Sequence, residues 1–350
     1  MHLDQKVSLK ALHTFGMEVE AKYFVEAKTL AEVLTLLNYR HMIHMPILFL
    51  GGGSNVLFTR DFSGIVIRIS SRGITLLEED DHTVRVTAEA GEEWDSFVQY
   101  CVGRGWAGIE NLSLIPGTVG AAPIQNIGAY GAEVKDVVES VRVVEIDSGK
   151  QKVFSNADCR FGYRDSIFKQ ALKGRVIILN VTFKLAKVSP AGAYSETERS
   201  LLRLDYGDIR GELARSGVVN PSIGDVRDVV CSIRRRKLPD PAEAGNAGSF
   251  FKNPVVQDGL LASLRERFPG MPSFPFGSDL TKVPAAWLIE QCGWKGFRSG
   301  DAGVHPGQPL VLVNYGHADG RQILALAGRI MDSVREKFGI SLETEVNVID

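Results

Sequence analysis

The sequence predicts a protein of mixed helices and strands that is divided into two domains. Its 350 residues are more than twice the roughly 150 residues of a typical domain. Stretches in which apolar residues recur at helical spacing alternate with short apolar or alternating stretches typical of strands. Between about residues 186 and 222 the composition becomes polar and rich in charge, and we place the domain junction there.

The composition is that of an ordinary soluble protein. Hydrophobic residues make up 44% of the chain, charged residues make up 23%, and the formal net charge is -2. No overall field therefore favours nucleic acid or an acidic membrane. No stretch approaches the roughly 18 apolar residues of a membrane span, and the first residues lack the apolar core of a secretory signal. We expect a cytoplasmic protein without nucleic-acid or membrane partners.

The cysteines form neither a CxxC redox pair nor a zinc ligand set, because they are widely spaced and lie among apolar neighbours. We expect buried thiols and no metal site. The four residues are Cys101, Cys159, Cys231 and Cys292.

The first glycine cluster follows a predicted helix and strand. Apolar residues between positions 30 and 37 recur at helical spacing, and Pro46–Leu50 is typical of a short buried strand. This strand continues into Gly51–Asn55, where successive N–H groups can form an anion-binding nest. The pattern is not GxGxxG and no long helical pattern follows it directly, which disfavours a Rossmann fold. A phosphate site and a plain turn explain Gly51–Asn55 about equally well.

Strands and one helix are predicted as far as residue 183. The apolar spacing from Trp94 to Val102 predicts a helix that Gly103 ends, and Asp147–Lys150 predicts a hairpin turn. The predicted strands are Gly64–Ile69, Thr83–Ala88, Val137–Ile146 and Val176–Phe183.

The second glycine cluster, Ile115–Gly131, carries almost no charge and no large side chain before Tyr130. A solvated linker would be more polar. The stretch is typical of backbone laid against a flat or phosphorylated ligand, and a tightly packed turn with a short helix is the less favoured alternative. Downstream, Arg164 follows Gly162 and Tyr163. It could pair with Asp165 at a surface or serve as a fixed guanidinium for a carboxylate.

A helix with a capping box at Ser222 and Asp225 is predicted after the junction, and it ends in the basic run Arg234–Lys237. Basic residues in a last turn stabilise the helix dipole, which explains the run structurally. Four in succession exceed what capping requires, and a diphosphate would suit them.

The stretch Gly245–Pro254 is a poor helix and a poor strand, so we expect a buried polar loop, with an ordinary turn as the alternative. Asn246, Ser249 and Lys252 could reach a ligand there. A serine hydroxyl gives up a proton only to a strongly basic centre, so Ser249 suits a general acid that quenches a carbanion-like intermediate near the positive charge of Arg164.

Helices and strands are also predicted beyond that loop. Glu343, Glu345 and Asn347 would share one face of the last strand, for which a solvated face is the simpler explanation. His305 and His317 look like ordinary loop residues, and no Ser-His-Asp order supports hydrolysis. The predicted elements are a helix at Ala285–Cys292, a strand at Pro309–Val313, a helix at Ile323–Phe338 closed by Gly339, and a strand at Leu342–Val348.

Four of these stretches resemble, in the same order, the motifs of the UDP-N-acetylenolpyruvoylglucosamine reductase family of peptidoglycan precursor synthesis. The resemblance runs from about Thr14 to Glu345, which is nearly the whole chain. The stretches are Phe49–Asn55, Ile115–Gly131, Phe161–Ser166 and Gly245–Pro254.

The resemblance implies an α+β fold with a two-lobed FAD-binding domain of the vanillyl-alcohol-oxidase type, followed by an α+β substrate-binding domain. The expected ranges are 1–70 and 71–205 for the two lobes and 220–350 for the substrate domain. FAD would be bound non-covalently and NADPH would be the co-substrate. Reduced FAD would pass a hydride to the enolpyruvyl group of UDP-N-acetylglucosamine enolpyruvate, giving UDP-N-acetylmuramate. We expect a monomer.

The resemblance also assigns roles residue by residue. Ser249 resembles the proton donor, and Arg164 and Glu345 resemble the residues that stabilise the enol-like intermediate. Tyr206 resembles the lid of the type I subclass. The implied cofactor-binding residues are Gly51, Gly52, Gly53, Ser54, Asn55, Val56, Ile115, Pro116, Gly117, Gly120, Ala121, Ile124, Gln125, Asn126, Gly128 and Ala129. The implied substrate-binding residues are Tyr163, Tyr206, Lys237, Asn253, Lys295 and Gln308.

One position departs from the family pattern, and the role assigned to a second depends on whether its strand is paired. His13 stands where the family usually has Asn, which suggests a difference on the flavin side. Glu345 lies close to the last residue of the sequence, so fraying could misplace it unless its strand is paired.

Two alternatives remain open. An alcohol oxidase with the same cradle would often hold flavin covalently through His or Cys, which neither glycine cluster contains. A catalytically inactive sugar-nucleotide binder would have no need of Arg164, Ser249 and Glu345.

Overall fold

The computed structural model describes residues 2–40, 45–189 and 193–350. These residues form two compact units that interleave along the chain. Unit A consists of the described residues within Met1–Gln5, Tyr23–Gly52 and Gly64–Arg234, and unit B consists of Lys6–Lys22, Gly53–Ser63 and Arg235–Asp350. The predicted domain ranges 1–70, 71–205 and 220–350 stay a prediction, and residues 190–192 of the predicted junction lie outside the described part.

The helices and strands are numbered in chain order. The helices are α1 Leu30–Arg40, α2 Trp94–Val102, α3 Glu196–Leu201, α4 Ile209–Arg215, α5 Ile223–Lys237, α6 Asp258–Arg267, α7 Ala285–Gln291 and α8 Gly320–Phe338. The strands before residue 190 are β1 Asp4–Ser8, β2 Glu20–Ala27, β3 Ile47–Leu50, β4 Val56–Phe58, β5 Phe62–Ile69, β6 Ile74–Glu79, β7 Thr83–Glu89, β8 Trp106–Ala107, β9 Gly128–Ala129, β10 Ala132–Glu133, β11 Val138–Glu145, β12 Gln151–Ser155 and β13 Val176–Lys187. Those after it are β14 Gly245–Ser249, β15 Val255–Gln257, β16 Phe274–Pro275, β17 Leu280–Lys282, β18 Arg298–Ser299, β19 Ala302–Val304, β20 Val311–Asn314 and β21 Asn347–Ile349.

Unit A is built on an antiparallel sheet with the strand order β12-β11-β13-β7-β6, to which β8 adds by pairing with β13. The predicted hairpin is confirmed, because β11 and β12 pair in register and Glu145 donates its N–H to the Lys150 carbonyl at 2.9 Å. The predicted helix α2 is confirmed as well. It buries Trp94 and Phe97 against Phe183 of β13, with ring centroids 4.8 to 6.0 Å apart.

A second sheet positions the first glycine cluster. Its order is β1-β2-β5-β3, and β3 and β5 are parallel, with Leu50 opposite Arg68. α1 buries Val33 and Leu37 in a cluster with apolar residues of β5 and β13. Gly51 therefore directly follows the carboxyl end of a parallel strand, which is where open sheets commonly bind ligands.

α5 begins at the predicted capping box: Asp225 donates its N–H to Ser222 Oγ at 3.1 Å and accepts the Ser222 N–H at 2.8 Å. Its apolar stripe, which includes Val226, Val230 and Ile233, is buried in a core with α4. Each of these bonds satisfies a polar group at a helix start, and the helix carries the basic run at its other end.

Unit B packs α7, α8 and the sheet β14-β20-β19-β18 around one core. α8 begins with a capping box between Asp319 and Gln322, and it ends at Gly339, whose φ of 68° is the left-handed conformation expected of a C-terminal glycine. The predicted helix is confirmed.

The prediction of a loop over Gly245–Pro254 is wrong in its first half, where β14 pairs with β20. Glycine makes this possible, because a Cβ at Gly245 would lie 2.1 Å from the Phe15 carbonyl oxygen. The prediction of a strand over Leu342–Val348 is also wrong in extent. Only β21 at Asn347–Ile349 forms a ladder, parallel to β4, while Thr344 makes a single bridge to Phe251. Leu342 and Val346 are buried in the core of unit B, so apolar and polar residues alternate along this stretch although no continuous ladder forms.

Cys101, Cys159 and Cys231 are buried, as predicted, whereas Cys292 is half-buried. Among the helices of the described residues, none has the length and apolar character needed to cross a bilayer.

Candidate functional site

The two glycine clusters meet backbone to backbone within unit A. A Cβ added at Gly51 would lie 2.7 Å from Thr118 Oγ1, and one at Gly52 would lie 2.9 Å from the Gly117 Cα. Gly120 packs equally closely on Ala90. Because real Cβ atoms do not approach this closely, only glycine permits the contact. Gly51, Gly52 and Gly117 thus form one closely packed, half-buried stretch of backbone, which we call the glycine wall.

Leu114, the residue before the second cluster, is fixed by charged side chains of unit A. Asp95 Oδ1 accepts its N–H at 2.5 Å, and Arg234 Nε donates to its carbonyl at 3.2 Å. Arg227 holds the Asp95 carboxylate with two bonds of 2.7 and 2.9 Å. The first member of the predicted basic run therefore positions the start of the cluster.

The pKa values of these groups reflect burial and pairing. Burial works against ionisation of Asp95, but the hydrogen bond from Arg227 and the Leu114 N–H hold the pKa of its carboxyl below the usual range. Burial also lowers the pKa of the Arg234 guanidinium. An ion pair that is part-buried and bidentate is better ordered than an exposed one.

Three side chains tie the loop Gly162–Ser166 to the second glycine cluster. Asn126 Nδ2 donates to the Gly162 carbonyl at 2.9 Å, and Ser166 Oγ donates to the Ile124 carbonyl at 2.6 Å. Arg164 Nη2 donates to the Gly128 carbonyl at 2.7 Å. Arg164 has a φ of 54°, a strained conformation for a side chain of this size that the surrounding bonds maintain.

Asn126 and Arg164 are accordingly held rather than mobile. The Asn126 amide also contacts Glu133 and the Lys135 N–H, so its side-chain groups bond to protein. A cofactor contact at Asn126 would come from its backbone. The Arg164 guanidinium lies 5.4 Å from the Tyr163 ring centroid, a cation–π distance.

Unit B contains the other predicted catalytic residues. Gly53 has a φ of 63°, and its missing Cβ leaves room for the Leu12 carbonyl, which would otherwise lie 2.0 Å away. Two residues on, Asn55 Nδ2 donates to the Glu345 carbonyl at 3.1 Å, and the Asn347 N–H donates to the Asn55 carbonyl at 3.1 Å. Pairing of the final strand therefore holds Glu345 beside Asn55.

Ser249 stands at a β-bulge. Asn246 is opposite Val313 and Ser249 is opposite Val311, so β14 has one residue more than β20 in this interval. Gly248 occupies the extra position with a φ of 67°, and its N–H donates to Asn246 Oδ1 at 2.9 Å. Such bulges commonly re-aim a side chain near an active site.

Ser249 and Glu345 are brought together in unit B, because the Glu345 N–H donates to the carbonyl of Phe250 at 2.8 Å. The expectation that Asn246 could reach a ligand is wrong. Asn246 is buried, and its amide bonds to the carbonyls of Ala244 and Pro239. Lys252 is paired with Glu343 at 2.9 Å.

The remaining predicted substrate residues are spread over both units. Asn253 Oδ1 accepts the Ala285 N–H at 2.9 Å and so caps the start of α7. Lys295 pairs with Glu290 at 2.7 Å, and Lys237 is exposed at the end of α5. Tyr206 is 58% exposed and stands edge-on to Tyr130, with ring centroids 6.4 Å apart. Gln308 is half-buried in the turn that leads into β20.

A buried histidine and a half-buried threonine adjoin Gly53 in unit B. His13 is 4% exposed, its Nε2–H donates to the Met17 carbonyl at 3.3 Å, and its Nδ1 has no partner. Thr14 Oγ1 also has none, while the Thr14 N–H donates to the Gly53 carbonyl at 3.1 Å. Burial lowers the pKa of His13. Each unsatisfied buried polar group costs about 1–3 kcal/mol, so this turn is suited to polar groups of a bound molecule.

Each unit carries groups that are suited to binding a ligand. Unit A presents the glycine wall and a fixed guanidinium, which suit a phosphate-bearing flat ligand and a carboxylate. Unit B presents a hydroxyl and a carboxylate on adjacent backbone. Within residues 2–40, 45–189 and 193–350, no group of three His, Cys, Asp or Glu side chains could hold a metal ion.

Sequence reasoning missed the residues that support this arrangement. Asp95 and Arg227 lie on helices as ordinary polar residues, and Ser166 is one hydroxyl in a polar stretch. Their partners lie far from them in the sequence, so no spacing pattern could have revealed them: Asp95 and Arg227 pair with each other, and Asp95 and Ser166 bond to backbone atoms. The Asn246–Gly248 bulge was signalled only by the concentration of glycines.

Comparisons with known proteins match two separate stretches of the chain. Residues 21–155 match the model of an FAD binding domain, and residues 240–349 match the model of the UDP-N-acetylenolpyruvoylglucosamine reductase C-terminal domain. The fold class predicted from the resemblance, α+β with an FAD-binding domain followed by a second domain, is confirmed.

Relatives that align over nearly the whole chain are named UDP-N-acetylenolpyruvoylglucosamine reductase. The chain is 48% identical over 348 residues to UDP-N-acetylenolpyruvoylglucosamine reductase of Pseudomonas syringae pv. syringae, covering 99% of both chains. It is 49% identical over 340 residues to that of Chromobacterium violaceum, covering 97% of this chain and 96% of the relative. The crystal structure of the enzyme from Thermus caldophilus superposes with a TM-score of 0.66 at 24% identity, covering 100% of both chains.

Proposed function

Because the chain belongs to the UDP-N-acetylenolpyruvoylglucosamine reductase family of FAD-dependent oxidoreductases, we propose that it reduces the enolpyruvyl group of UDP-N-acetylglucosamine enolpyruvate with NADPH. The product is UDP-N-acetylmuramate, a peptidoglycan precursor. The observation that carries the proposal is the connection in unit B from Asn55 to Glu345 and on to Phe250, which joins the first glycine cluster to both predicted catalytic residues of that unit.

Residues of both glycine clusters would hold FAD without a covalent bond. The half-buried glycine wall carries no side chains, so the backbone of Gly51, Gly52 and Gly117 could lie close to a diphosphate. The orphaned His13 Nδ1 and Thr14 Oγ1 fit a group that carries its own polar atoms. When bound, FAD would supply the hydride, taken from NADPH, to the enolpyruvyl methylene carbon.

Ser249 would donate the proton that balances this hydride. Addition of a hydride to the methylene carbon leaves an electron pair on the neighbouring carbon, conjugated with the substrate carboxylate, and the Ser249 hydroxyl proton would go to that carbon. Arg164 would bind the carboxylate and stabilise the developing charge, since it is fixed by Gly128 and needs little reorganisation. Glu345 would assist in holding the enol-like intermediate.

Stopped-flow absorbance of the bound flavin tests the whole proposal. The purified protein should be yellow and release its flavin on denaturation. NADPH should bleach the flavin, and the enolpyruvyl sugar nucleotide should then restore the oxidised spectrum. A colourless protein that cannot be reconstituted with FAD would refute the flavoenzyme assignment.

Ser249→Ala separates the proton step from the hydride step. We expect flavin reduction by NADPH to stay within about twofold, while reoxidation by the sugar nucleotide slows by roughly 100-fold or more, as the loss of a general acid implies. Ser263→Ala is the matched control, because Ser263 is an exposed serine of α6 whose hydroxyl donates to the Leu260 carbonyl. Equal slowing of both half-reactions in Ser249→Ala would show that the residue is structural.

A further inference from the structure

The segment Arg203–Gly207, which we call the Tyr206 segment, lies in unit A against the end of the second glycine cluster. A Cβ at Gly131 would lie 3.2 Å from the Tyr206 Cβ, and the Tyr206 ring is nearly perpendicular to that of Tyr130. More than half of the Tyr206 side chain is exposed. Burial alone therefore does not keep the ring in place, and its position depends on how the backbone beneath it is held.

One buried amide holds that backbone. Asn111 is 1% exposed, and its Nδ2 donates to the Tyr130 carbonyl at 2.9 Å and to the Arg203 carbonyl at 2.8 Å. Both amide hydrogens are used, one on the glycine cluster and one on the Tyr206 segment.

Arg203, at the surface, adds two further hydrogen bonds. Its Nη1 donates to the Gly131 carbonyl and to Asp136 Oδ2, each at 2.7 Å. Asp136 Oδ2 also accepts the Glu133 N–H, so the same carboxylate orders the turn that follows the glycine cluster. Asn111 and Arg203 thus fix the Tyr206 segment to Tyr130 and Gly131 at three carbonyls.

We infer that Asn111 is a positioning residue, which holds the Tyr206 segment in the position from which Tyr206 contacts the sugar nucleotide. Asn111 acts through Tyr206 and does not touch the reacting atoms. The inference rests on the proposed function for the identity of the substrate. It predicts that loss of the two hydrogen bonds impairs substrate binding and leaves hydride uptake from NADPH intact.

Asn111→Asp is the sharpest variant, because a carboxylate of the same shape would face two carbonyl oxygens and repel them. We expect KM for the sugar nucleotide to rise by about tenfold or more, while the flavin reduction rate at saturating NADPH stays within about twofold. Trypsin should also cleave after Arg203 faster than in the wild-type protein, since local opening exposes the bond.

Asn156→Asp is the matched control. Asn156 Nδ2 likewise donates to two carbonyls of the same unit, those of Lys135 and Val138, and neither carbonyl belongs to the Tyr206 segment. Because Lys135 precedes Asp136, this variant also tests whether disturbing that turn is enough to produce the effect. It should change neither KM nor the cleavage rate. If Asn111→Asp does not fold, Arg203→Gln serves instead, because Arg203 lies at the surface. This variant lacks the trypsin site, so cleavage by chymotrypsin after the exposed Tyr206 replaces the trypsin assay, and we expect smaller changes in the same directions.

The outcomes separate the inference from the proposed function. Faster cleavage with an unchanged KM would overturn the positioning role, and an unchanged cleavage rate would show that Asn111 does not hold the segment. If the wild-type flavin is reduced by NADPH but never reoxidised by the sugar nucleotide, the proposed function fails, and the assignment of substrate in this inference fails with it.

Discussion

His13 illustrates how much depends on a single buried side chain. Its Nε2–H is satisfied by Met17, its ring stands edge-on to Phe58 at 5.3 Å, and its Nδ1 has no partner. Protonation would place a charge in this apolar setting, which explains the lowered pKa. The resemblance marked this position as unusual, but only the structure gave the histidine its tautomer and its unsatisfied atom.

The buried His13 should make the stability of the flavin-free protein depend on pH. The unfolded chain binds a proton near pH 6.5, and the folded chain does so only at lower pH, so stability is complete above about pH 6.5 and is lost as the pH falls. Urea unfolding between pH 8 and pH 5 should show a loss of up to about 1.4 kcal/mol per pH unit from this group. His13→Asn should flatten that slope, whereas His82→Asn, at an exposed loop position, should not.

At the scale of elements, the supports of the glycine wall lie on α2 and α5. Asp95 and Arg227 connect these helices, and the Asp95 carboxylate fixes the Leu114 N–H. The sequence predicted both helices and the capping box of α5. It could not predict that the two helices share an ion pair, because the register of one helix against another depends on packing.

Arg227→Met should therefore weaken cofactor binding as well as stability. The change leaves the part-buried Asp95 carboxylate without its bidentate partner and so weakens the support that Asp95 gives to Leu114. We expect a loss of about 1–3 kcal/mol in the free energy of unfolding and a rise in the FAD dissociation constant of about tenfold.

Arg215→Met is its control, because Arg215 pairs with Asp208 and Glu212 at the surface, where ion pairs contribute about 0–1 kcal/mol. Urea unfolding of the flavin-free variants and titration with FAD supply the two readouts. Unchanged FAD affinity in Arg227→Met would show that Leu114 needs no such support.

At the scale of the whole molecule, the sequence predicted the α+β class, the order of the motifs and several of the longer elements, among them α2, α5, α8, β11 and β13, but not most of the short strands. It missed the short helices α3, α4 and α6, whose apolar stripes are brief. It also mistook β14 for a loop, because glycine-rich sequence disfavours a strand on average. At Gly245 the close approach of Phe15 reverses that preference, and a single-sequence pattern cannot show such a neighbour.

FAD should stabilise the whole chain by mass action. At a free concentration 100 times its dissociation constant, a ligand of the folded state adds about 2.7 kcal/mol, which should appear as a higher Tm of the reconstituted protein. Riboflavin, which carries no diphosphate, should give a much smaller shift if the glycine wall binds phosphates. Equal shifts from both compounds would contradict a phosphate role for Gly51–Gly53.

The bond from Asn55 to Glu345 joins residues that lie 290 positions apart in the chain. At translation rates of about 5–20 residues per second, Asn55 would wait roughly 15–60 s for its partner to leave the ribosome. The first glycine cluster is therefore synthesised early, but the hydrogen bond from Asn55 to Glu345 can form only late. Contacts of such sequence separation also slow folding, because loop closure must precede them. We expect acquisition of flavin during biosynthesis to follow release of the full chain, so that nascent chains stalled before Glu345 remain colourless.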